Sequence, residues 1–165
     1  MRILKTFIGV GCVVAFLAVC LVVMSPLSGF TQADPMIGTW KLNLSKSKFS
    51  PGPPPKSQTL TYEAVGQGVK VTVKGTDAEG KPIDFQTTAN YDGKDYPVTG
   101  APDRDTTARK RIDAHTMETT HKKAGKVVAT GTSVISKDGK TITLTEKGIN
   151  AKGEKFSNTV VFDKQ

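Results

Sequence analysis

The side chains of this chain that could do chemistry are two histidines, a few arginines and a scatter of carboxylates. Their spacing limits what that chemistry can be. His115 and His121 are the only histidines. They stand six positions apart across an expected turn, which sets them on opposite faces. No carboxylate or cysteine cluster accompanies them at a ligand spacing, so no metal site is expected. The chain has no Gly-x-Ser-x-Gly elbow, no His-Glu-x-x-His helix and no glycine loop opening a helix. Asp92, Asp138 and Glu79 precede Gly93, Gly139 and Gly80, where turn chemistry accounts for them. No carboxylate pair is singled out for acid–base work. These residues predict a protein that is not an enzyme and holds no cofactor.

Arg109 and Arg111 are the only arginines in an expected strand, and their spacing places them on one face. Two readings follow. Both could point inward and meet an anionic head group. Alternatively both face water while Ala108 and Ile112 pack inside, and the need to bury Ile112 favours this second reading.

The elements that must position these residues are strands. Asp92-Gly93-Lys94, Ala124-Gly125-Lys126 and Asp138-Gly139-Lys140 each offer a Gly for positive φ beside polar neighbours. Between such turns, apolar and polar residues alternate: Leu60, Tyr62 and Ala64; Val69, Val71 and Val73; Ile83, Phe85, Ala89 and Tyr91. Met36 to Leu44 reads as the first strand, and Thr106–Asp113, Thr116–Lys122, Lys126–Ser136, Thr141–Ile149 and Lys155–Lys164 as later ones. About ten strands and no helix result. Sequential hairpins of this kind predict an all-β, antiparallel up-and-down barrel of about 8–10 strands, closed to hide its edges. Between the first two strands, Ser45 to Ser57 contains Pro51-Gly52-Pro53-Pro54-Pro55, a rigid surface connection.

Ahead of the barrel, residues 1–33 have the layout of a secretory signal peptide: Arg2 and Lys5, an apolar run from Phe7 to Met24, then Pro26 and small residues before Asp34. The run is long enough to span a bilayer, so an uncleaved anchor at residues 7–24 is the alternative. Residues 34–165 then form one barrel domain, secreted or periplasmic. Both cysteines, Cys12 and Cys20, lie in the leader, so the remainder has no disulfide. Arg2 and Lys5 account for two of the 23 basic residues, and the other 21 against 15 acids leave +6. The lysines sit mainly at turns among acids, as on a solvated surface. That charge alone does not argue for nucleic acid, and Phe85 and Tyr91 share a face with Ile83 and Ala89 rather than forming an exposed stacking platform.

Gly38-Thr39-Trp40-Lys41-Leu42 on the first strand resembles the Gly-x-Trp opening of lipocalins and the Gly-Thr-Trp-Lys opening of intracellular fatty-acid-binding proteins. Asn158 to Lys164 is similar to the last strand of the same proteins. The resemblance implies a barrel that encloses a small molecule, with Gly38 and Trp40 as a structural plug at its closed end. It also implies an Arg and a Tyr on the last strand to hold a carboxylate, but Val160 and Phe162 stand there. A second arginine of that family falls near Thr132, and the prolines leave no room for its helical lid.

The expected function is therefore an exported, non-catalytic binding protein for a small apolar molecule. Its cavity would be formed by Leu60, Tyr62, Val71, Phe85, Tyr91, Val160 and Phe162, with Arg109 and Arg111 as candidates for an anionic group. The alternative is an envelope interaction module with a filled core and a partner held by loops such as Ser45–Ser57 and Thr99–Asp105. Contact with a membrane is expected only through an uncleaved leader.

Overall fold

The computed structural model describes residues 34–150 and 152–165. The expected leader at 1–33 lies outside the described residues. Ten strands follow one another: β1 (Gly38–Lys48), β2 (Ser57–Val65), β3 (Gly68–Thr76), β4 (Pro82–Asn90), β5 (Asp92–Thr99), β6 (Thr106–Arg111), β7 (Thr116–Lys123), β8 (Lys126–Ile135), β9 (Thr141–Ile149) and β10 (Lys155–Lys164). Each pairs antiparallel with the next, and β1 also pairs with β10, which closes the barrel. Closure leaves no strand edge exposed along the ring. β1 runs four residues past the expected end at Leu44, because a register shift after Asn43 lets Lys48 pair with Thr159.

The two ends of the barrel differ. At one end, Met36, Trp40, Val69, Met117, Ile142 and Phe162 are almost fully buried and fill the interior. The Trp40 indole N–H donates to the Met36 carbonyl at 2.9 Å, which satisfies the one polar atom of that ring. Lys164 Nζ lies over the face of the same ring, 4.9 Å from its centre. Gly38 has φ +133°, and a Cβ there would meet the Lys164 side chain at 3.0 Å. Its smallness thus accommodates the Lys164 side chain.

The first residues of the folded unit seal this end. Asp34 accepts hydrogen bonds from the Met36 amide (3.0 Å) and the Tyr91 hydroxyl (2.9 Å), and pairs with Arg111, whose guanidinium lies 4.0 Å over the Tyr91 ring. Burial, then the Asp34 charge, pushes the Tyr91 phenol well above its ordinary range, so its proton stays on the hydrogen bond. The other end carries the β1–β2, β3–β4, β5–β6, β7–β8 and β9–β10 connections, and it is open.

Candidate ligand cavity

A cavity of about 500 Å³ opens between those connections and runs into the barrel. Its mouth is lined by Pro51, Pro53 and Pro55 of the β1–β2 connection, with Asp77 and Lys152 of two other turns. One wall is apolar: Leu60 and Tyr62 of β2, Val71 and Val73 of β3, and Ile83 and Phe85 of β4. It continues through Val160 and Phe162 of β10. Along β2, β3 and β4 these positions alternate with polar residues such as Thr61, Thr72 and Asp84, so period-two patterning drives them inside.

The opposite wall is polar. Arg109 of β6, Thr119 and His121 of β7, Ser133 of β8 and Glu146 of β9 all line the cavity. The register explains the grouping. Arg109 pairs with Thr119, Thr119 with Gly131, and Gly131 with Glu146, so these four form one cross-strand row. Gly131 has no side chain in that row, and His121 and Glu146 meet beside it with Nε2 and Oε1 3.5 Å apart. Arg104 enters from the β5–β6 connection. It makes two hydrogen bonds to Asp103 (3.1 and 2.7 Å), stands 3.6 Å from Glu146 and lies 5.7 Å from the Phe85 ring centre.

The electrostatics of this wall follow from burial. Burial opposes the Arg104 charge, but the Asp103 hydrogen bond and the Glu146 and Asp103 charges outweigh it and hold the guanidinium above its ordinary value. Asp103 is raised by burial, yet the hydrogen bond and charge of Arg104 bring it below the usual carboxylate range. Glu146 has no hydrogen bond on Oε1, so burial wins over Arg104 and pushes its carboxyl up. His121 is pushed down to about 2 by burial and then by Arg104 and Arg109, so it is a neutral imidazole at neutral pH. Glu146 does not rescue its charge, because Glu146 is itself shifted toward its neutral form.

Arg109 is the exception on this wall. It is only 7% exposed, and its Nε has no hydrogen-bond partner. Its contacts are the Met117 sulfur at 3.9 Å and the Tyr62 ring centre at 5.9 Å. Among the described residues, no carboxylate lies within ion-pair distance of it, whereas Arg104 and Arg111 are both paired. A buried, uncompensated cation facing a cavity has the electrostatics of an anion site.

Placed on this geometry, Leu60, Tyr62, Val71, Phe85, Arg109, Val160 and Phe162 line the cavity. Tyr91 and Arg111 do not: they belong to the seal around Asp34 at the closed end. The outward reading of the arginines is corrected. Pairing of Arg111 with Met117 and of Arg109 with Thr119 puts the odd positions of β6 inside, and Ile112 falls in the turn, 48% exposed. Sequence reasoning missed Asp103, Arg104, His121 and Glu146 as a group. One signal was present, since Glu146 continues the inward row of Ile142 and Leu144. The loop residues Asp103 and Arg104 gave none.

The chain matches no family model and no curated protein. Among solved structures it is similar to two redesigned β-barrels bound to DFHBI. One, mFAP1, is 14% identical over 79% of this chain and 95% of that chain, with a TM-score of 0.40. The other, mFAP0, is 13% identical over 79% and 99%, with a TM-score of 0.41. It is also similar to zebrafish ileal bile acid-binding protein complexed with cholic acid, at 12% identity over 79% and 99%, with a TM-score of 0.48.

Proposed function

We propose that the chain is an exported, non-catalytic binder of a small amphipathic anion. The apolar body of the ligand lies against β2, β3, β4 and β10, and its anionic group meets Arg109. The observation that carries this reading is the buried Arg109 without a carboxylate partner, facing about 500 Å³ of cavity. An unpaired buried cation is costly, and a ligand anion supplies the missing charge. The expected small apolar ligand is thereby refined to one with an anionic group at the polar wall, met by Arg109 alone of the two candidate arginines. An empty cavity also speaks against the filled-core interaction module.

The test is saturable binding of anilinonaphthalene sulfonate, an apolar anion that fluoresces when desolvated. A one-to-one isotherm is expected, with affinity falling about tenfold or more in Arg109→Met, the scale of a lost charge-assisted contact. Absence of saturable binding, or equal affinity in the variant, defeats the reading. Export rests on the first 33 residues alone. Mass spectrometry of protein recovered from the cell envelope should find the N-terminus at Asp34, whereas an intact leader would point to the membrane anchor.

A further inference from the structure

The polar wall carries two cations, and they are not equivalent. Arg104 spends one edge of its guanidinium on Asp103, through Nε and Nη2, and directs Nη1 at Glu146 Oε1, 3.6 Å away. Its side chain is 14% exposed, as is that of Glu146. Arg109 has neither kind of partner.

We propose that Glu146 is a charge-selectivity residue: by occupying the second edge of Arg104 it leaves Arg109 as the single open cation and restricts the cavity to ligands with one negative charge. This inference rests on the reading that a ligand anion meets Arg109. A second anionic group on the same ligand would find no open cation on this wall. At Arg104 it would compete with two carboxyl groups already in place, those of Asp103 and Glu146. His121 offers no help, being a neutral imidazole 3.5 Å from Glu146. Gly131 makes the arrangement feasible. A Cβ there would stand 3.2 Å from Leu144 Cδ1 and the Thr145 carbonyl oxygen and 3.4 Å from Glu146 Cβ, so a larger residue would require these neighbours to give by a few tenths of an ångström.

The experiment compares decanoate with octylmalonate, which carry the same alkyl chain and differ by one carboxylate, by displacement of the fluorescent probe at pH 8 from the purified full chain. Wild type should prefer decanoate. Glu146→Gln, which keeps the shape and removes the ionisable carboxyl, should raise the affinity for octylmalonate relative to decanoate about tenfold. Asp103→Asn frees the other edge of Arg104 and should move the ratio in the same direction, so the inference stays testable if one variant fails to fold. Adding Arg104→Met to Glu146→Gln should return the ratio to its wild-type value. An unchanged ratio in both single variants overturns the inference and leaves Arg109 as an anion site. A gain that survives Arg104→Met overturns it too, since general charge and not Arg104 would then be responsible. Wild type that binds neither probe overturns the underlying reading, and this one with it.

Discussion

Arg109 sets ligand binding against stability. Buried without a carboxylate, it is stabilised only by a ring and a sulfur at 5.9 and 3.9 Å. Replacing such a charge with an apolar side chain of similar length is often stabilising, by about 1–4 kcal/mol. Arg109→Met should therefore raise the urea midpoint while it weakens probe binding. A variant that lost both would mark the residue as structural. His121 makes a second statement at this scale. Its folded value of about 2 lies below the ordinary 6.5, so the unfolded chain binds the extra proton. The neutral imidazole's contribution is complete above about pH 6.5 and is lost as pH falls toward 2. His121→Gln should remove that dependence and flatten the decline of stability between pH 6.5 and 5, where the wild type would lose about 1–2 kcal/mol by this route. Urea melts at three pH values measure it, and parallel curves for the two proteins would refute it.

The elements are held together unevenly. β9 and β10 pair over nine consecutive positions, from Ile149 with Lys155 to Thr141 with Asp163. β4 and β5 pair only at Gln86 with Thr99 and Thr87 with Val98, helped by the Thr87 hydroxyl on the Pro97 carbonyl at 2.9 Å. Few shared hydrogen bonds mean a low local opening free energy, so amide exchange should be fastest at the β4–β5 seam and slow at the β2–β3, β3–β4 and β9–β10 seams, each paired over nine positions. Uniform protection around the ring would contradict this. Glycines divide by the same logic. Gly148 on β9 has Val128 O at 2.2 Å and Ala129 Cα at 2.7 Å from an added Cβ, while Gly139 has open space but φ +68°. Gly148→Ala forces strands apart and should cost about 1–3 kcal/mol. Gly139→Ala carries only the left-handed backbone penalty of about 1 kcal/mol. Chemical denaturation of the two variants gives the order, and a milder Gly148→Ala would refute it.

At the scale of the whole molecule, the barrel is a vessel with one filled end, one open end and two unlike walls. The sequence determined most of the vessel. Alternation placed Leu60, Tyr62, Val71, Phe85, Val160 and Phe162 inside, and the glycine turns fixed the order of hairpins, because both depend on neighbours within a few positions. Trp40 was legible for the same reason, as a large ring on a strand with small and apolar companions. The polar wall was legible only in fragments. Whether Arg109 points in or out depends on its pairing with Thr119; six β6–β7 pairs and eight β7–β8 pairs set that register, and no local pattern reports it. Tyr91 and Arg111 looked like cavity residues because inward-facing and cavity-facing are the same statement in a sequence. Only the closed ring separates them, since the depth of a residue along the barrel decides whether it meets Asp34 or empty space. The meeting of Arg104, His121 and Glu146 belongs wholly to the tertiary structure: closure brings a loop and two strands to one point, and a buried charge takes its meaning from what stands opposite.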